Sequence, residues 1–96
     1  MKIQLKHTNT PSSAMNHIIE NLDTMRITEK CCGEVVRVTE LNAIEAALYI
    51  GGLAIKRGDG TGTRQHWAFD YSIDAYVPQH VGYGNGTTEK FEYFGK

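Results

Sequence analysis

The chain has 96 residues, enough for one hydrophobic core and not for two, and 41% hydrophobic with 22% charged residues is the composition of a globular domain, not a disordered tail. Ten Lys and Arg against eleven Asp and Glu leave a net charge of -1, which excludes both the basic excess of a general nucleic-acid binder and the acidity of a nucleic-acid mimic. No stretch of about 18 apolar residues occurs and the N-terminus MKIQLKH alternates, so neither a membrane span nor a signal peptide is expected, and the chain reads as soluble and cytoplasmic.

Met1 to His7 places Ile3 and Leu5 on one side and Lys2, Gln4 and Lys6 on the other, the period of a half-buried strand. Thr10, Pro11 and Ser12 supply a cap and a first-turn proline for a helix running to about Met25, with Ala14, Met15, Ile18, Ile19, Leu22 and Met25 at helical spacing. Whether that helix continues to Gly33 is open, because Ile27 and Thr28 are β-branched. Val35, Val36 and Val38 mark a short strand. Thr39 can then cap a second helix carrying Leu41, Ile44, Leu48, Gly51 and Ile55 and running to about Arg57. Gly51 and Gly52 imply close packing of that helix or a break in it.

The run GDGTGT from Gly58 to Thr63 is a flexible connector. Trp67, Phe69, Tyr71 and Ile73, extended by Ala75 and Val77, alternate with polar residues as one long strand that Pro78 ends. GYGNG from Gly82 to Gly86 turns the chain into a last strand, Thr87 to Phe94, with Phe91 and Tyr93 on one face. The expected fold is a single α+β domain over residues 1–96 in the order β-α-β-α-β-β. Its sheet is mixed or antiparallel, with both helices on one face. Leu22, Ile44, Leu48, Trp67 and Phe69 are its expected core.

Chemistry is sparse. The glycine-rich loop follows a helix and so meets its negative dipole end, the reverse of a phosphate-binding loop. The four histidines, at 7, 17, 66 and 80, offer no compact ligand spacing, so no metal and no cofactor are expected. His66, Asp70 and Asp74 share the outward face of the long strand but stand roughly 13 Å apart when four residues separate them. Adjacent Cys31 and Cys32 cannot readily form a relaxed disulfide and read as reduced thiols at a helix end. No serine lies in a nucleophile elbow, and an enzyme is not expected.

Two features suit recognition. Lys56, Arg57 and Arg64 bracket the pliable loop and can clamp an anionic surface, although Lys56 and Arg57 also complement a helix end. Eight of the nine aromatic residues lie between Trp67 and Phe94, and Tyr76, Tyr83 and Phe94 are left over once the core faces are filled. The expected partner-binding residues are therefore Lys56, Arg57, Arg64, Tyr76 and Tyr83. The expected function is a non-enzymatic binder that regulates or inhibits a larger protein or ribonucleoprotein complex, in concrete form a phage anti-defence inhibitor of the anti-CRISPR kind. A nucleic-acid-binding module is the alternative, using Lys2, Lys6, Lys56, Arg57 and Arg64 on phosphates and Tyr76 or Tyr83 for stacking; an oligomeric virion or structural protein is a third class.

Overall fold

The computed structural model describes residues 18–56 and 64–96, with side chains at 18–53 and 67–96. The strand expected at Met1 to His7, most of the first helix and the connector at Gly58 to Thr63 lie outside the described residues. Within them the fold is α+β. Residues 18–21 are helical (α1) and are followed by β1 (Leu22–Cys31), β2 (Glu34–Asn42), α2 (Ala43–Lys56), β3 (Arg64–Asp70), β4 (Ala75–Gly82) and β5 (Thr87–Gly95). The strands form one sheet in the order β2-β1-β5-β4-β3, and every neighbouring pair is antiparallel.

Leu22 to Met25 belong to a strand, not to the first helix. Met25 and Ile27 are buried while Arg26 and Thr28 face the other side, a period of two that the β-branched Ile27 and Thr28 favour. Cys32 and Gly33 both take positive φ, 56° and 89°, and close a two-residue hairpin of the kind whose twist matches its strands. The two thiols thus sit at a hairpin tip and not at a helix end; both are free and exposed.

The cap of α2 is Asn42, not Thr39. Asn42 Oδ1 accepts from the Glu45 amide at 2.9 Å, and Glu45 Oε1 accepts from the Asn42 amide at 3.0 Å, a reciprocal capping box. The helix runs unbroken through Gly51 and Gly52. Its buried stripe is Ala46, Ala47, Ile50 and Leu53, whereas Ile44 and Leu48 are 62% and 63% exposed. Both stripes satisfy helical spacing, and the smaller one faces the sheet because alanines let helix and sheet approach closely.

The expected long strand from Trp67 to Val77 is a hairpin. Asp70 turns it: its carbonyl accepts from the Ile73 amide at 3.4 Å, and its Oδ1 accepts from the Ser72 amide and hydroxyl at 2.8 and 2.6 Å. Asp74 follows in the left-handed region at φ 56°. Asp70 therefore closes β3 and Asp74 lies in the turn, so the two are not members of one strand face. Pro78 does not end a strand but lies buried within β4, next to the register shift opposite His66 and Trp67, where a missing N–H is tolerated.

One apolar cluster joins Ile18 of α1 and the α2 stripe to Leu22, Met25 and Ile27 of β1, Val77 and Val81 of β4, and Phe91 and Tyr93 of β5. The buried Tyr93 hydroxyl donates to the Pro78 carbonyl oxygen, and burial holds its pKa well above the usual value. Trp67 and Phe69 are only half-buried. α2 packs on β1 and β2 over one face of the sheet, with Ile18 of α1 in the same core; the other face carries Arg26, Lys30, Lys90, Glu92 and Phe94.

Candidate functional site

The helix-free face divides into two parts along β1 and β5. At one end Arg26 is neutralised: its guanidinium lies 3.3 Å from Glu40 and 3.6 Å from Glu92, and it stacks 5.1 Å above the Phe94 ring. At the other end Lys30 stands opposite Thr88, and Lys90 stands opposite Thr28 on β1 and opposite His80 on β4. Lys30 and Lys90 are therefore diagonal neighbours, with Cβ atoms roughly 7 to 8 Å apart. Both are exposed, and neither joins an ion pair among the described residues.

These cations border a cleft of about 410 Å³ lined by Lys30, Gln79, His80, Thr88, Glu89, Lys90 and Phe91. Among the paired residues, β4 meets β5 only over His80 to Gly82. Beyond Lys90 the two strands are not paired, which gives the cleft its space. Glu89 does not neutralise the lysines, because its carboxylate is drawn to the helix side. There Oε1 accepts the Tyr49 hydroxyl at 2.6 Å and the Tyr83 hydroxyl at 2.8 Å. Burial, and then the carboxylate, push Tyr83 up to about 12 and Tyr49 further still. A smaller cleft of about 280 Å³ adjoins them, where Arg37 pairs with Glu29 at 2.8 Å.

The expected binding residues are not gathered here. Lys56 ends α2 and Arg64 opens β3, but their side chains, like Arg57 as a whole, lie outside the described residues. Tyr76 is half-buried and packs edge-on against Phe69 with ring centroids 5.1 Å apart. Tyr83, just past the other end of β4, is roughly 23 Å away along the strand and is engaged with Glu89. Sequence reasoning missed Lys30 and Lys90. Lys90 was within reach, since placing Phe91 and Tyr93 inward turns Lys90 and Glu92 outward; Lys30 was not, because its segment reads as the end of a helix.

Among the described residues no helix is long and apolar enough to cross a membrane, and no group of three or more His, Cys, Asp or Glu is placed to hold a metal. No protein-family model, curated protein or solved structure matches the chain.

Proposed function

We propose that the chain is a small non-enzymatic binding protein that regulates or inhibits a larger macromolecular complex, taking an anionic surface of that complex against the helix-free face of its sheet. What supports this reading is the placement of Lys30 and Lys90 as diagonal neighbours at an open cleft, with His80 beside them and no ion pair to either lysine among the described residues. Neighbouring like charges repel one another in the free protein, so an anion placed between them gains from both. The cluster around Arg26 on the same face shows the contrast, since its guanidinium already has two carboxylates, Glu40 and Glu92, against it.

An anti-defence inhibitor of the anti-CRISPR kind is the concrete form of the proposal, because a ribonucleoprotein effector presents both phosphates and acidic protein surface. Purified effector complexes with a cleavage readout test it. The wild-type chain should bind and inhibit one of them, and Lys30→Glu with Lys90→Glu should lose both properties while the circular dichroism stays unchanged. Wild-type inhibition by that double variant would sink the proposed face. Retention of naked single-stranded RNA or DNA at low salt, lost in the same variant, would favour the nucleic-acid module instead.

A further inference from the structure

We infer that the partner segment seated on the helix-free face is an acidic amphipathic helix of a protein, not a stretch of nucleic-acid backbone, which rests on the reading of that face as the binding surface. Val35 stands opposite Lys30, and Val38 stands opposite Thr28, whose other neighbour is Lys90. Residues opposite one another in an antiparallel pair share a face, so both valines lie beside the two lysines on the side of the sheet away from α2. Val35 and Val38 are 55% and 53% exposed. The face is apolar along β2 and cationic along β1 and β5.

That division matches the dimensions of one helix. Neighbouring strands lie about 4.8 Å apart, so Val38 and Lys90, two strands apart, are separated by about 10 Å, the width of a helix with its side chains. Across the register shift Val35 and Val38 match Lys30 and Thr28, two residues apart on β1, which sets the valines about 7 Å apart along the sheet. Lys30 is level with Val35 and Lys90 with Val38. On a helix laid along β1, apolar residues four apart, about 6 Å along the axis, reach both valines. Carboxylates four apart on its other flank reach Lys30 and Lys90.

A nucleic-acid strand fits the face less well. Single strands bind such surfaces by stacking bases on aromatic rings while cations track the phosphates. Beside the lysines stand valines and threonines, and the Phe94 ring is already covered by the Arg26 guanidinium at 5.1 Å. Valine gives a base no ring to stack on, but it packs closely against leucine or isoleucine. The net charge of -1 adds no long-range attraction for a polyanion.

The probes for the full chain are a fluorescent helical peptide with a leucine stripe flanked by glutamates, its scrambled isomer, and oligothymidine of equal charge. Anisotropy should show the amphipathic peptide bound at least about tenfold tighter than either control. Val35→Thr with Val38→Thr keeps the β-branched shape and strand preference, exchanging one methyl for a hydroxyl at each position. That variant should lose the preference for the striped peptide while its circular dichroism stays unchanged. Lys30→Gln with Lys90→Gln should weaken peptide binding and flatten its salt dependence. Equal affinity for the scrambled isomer, tighter binding of oligothymidine, or an unaffected threonine variant would each overturn the inference. Inhibition of an effector complex separates the two readings: inhibition that survives lysine reversal sinks the face itself, whereas inhibition lost on lysine reversal but complete in the threonine variant sinks only the amphipathic helix.

Discussion

The Tyr49 hydroxyl donates to Oε1 of Glu89 at 2.6 Å, and this contact ties the middle of α2 to β5. Tyr83 donates to the same oxygen from the β4–β5 turn at 2.8 Å, so one carboxylate joins a helix, a strand and a hairpin. Glu89→Ala should cost roughly 1 to 3 kcal/mol, because it leaves the partly buried Tyr49 hydroxyl without its charged acceptor. Chemical denaturation would show this as a lowered midpoint with an unchanged slope.

The same contact carries a pH dependence. Tyr83 is raised to about 12 from an ordinary 10, chiefly by burial, so the folded chain holds its proton at pH values where the unfolded chain has lost it. Stability from this group is therefore complete below pH 10 and is lost as the pH rises from 10 through 12. Ultraviolet titration of tyrosinate formation should show a late-titrating class in the wild type that moves toward 10 in Glu89→Ala. A Tyr83 that titrates at the ordinary value in the folded wild type would contradict the bond.

The two stripes of α2 should respond oppositely to truncation. Ile50→Ala removes a fully buried side chain and should cost about 2 to 5 kcal/mol through the cavity it leaves. Leu48→Ala removes an exposed one and should change stability by no more than about 0.5 kcal/mol. Equal losses at the two positions would mean that the helix is rotated.

Gly95 at the end of β5 meets the chain just after Asp70. A Cβ built there falls directly on the Ser72 carbonyl oxygen, a backbone atom that cannot swing aside. Gly95→Ala should destabilise by about 1 to 3 kcal/mol through overpacking, and thermal unfolding should show it. Gly52→Ala is the control, with nothing within 4 Å of the added methyl, and in a helix it should stabilise by up to about 1 kcal/mol.

Reversing Lys30 and Lys90 to Glu should leave stability within about 0.5 kcal/mol of the wild type, since neither lysine joins an ion pair among the described residues. Affinity for an anionic partner should fall with that change, and wild-type affinity should fall with salt, because exposed charges are screened over about 8 Å at physiological ionic strength. Surface plasmon resonance at two salt concentrations reads both effects.

Local pattern alone determined the α+β class, the strand at Val35 to Val38, the existence of the second helix, the glycine turn at Gly82 to Gly86 and the inward Phe91 and Tyr93 of the last strand. These elements have a single period or a single turn chemistry, so neighbours in sequence suffice to specify them. Tertiary structure decided the rest. Leu22 to Met25 fit a helical spacing and a strand alternation alike, and pairing with both β2 and β5 selects the strand. α2 carries two apolar stripes, and contact with the sheet selects the alanine-rich one. Asp70 could sit mid-strand or fold back on Ser72, and pairing of β3 with β4 rewards the turn. The candidate face was illegible for the same reason. Lys30 and Lys90 are 60 positions apart, and only the antiparallel register of β1 and β5 makes them neighbours.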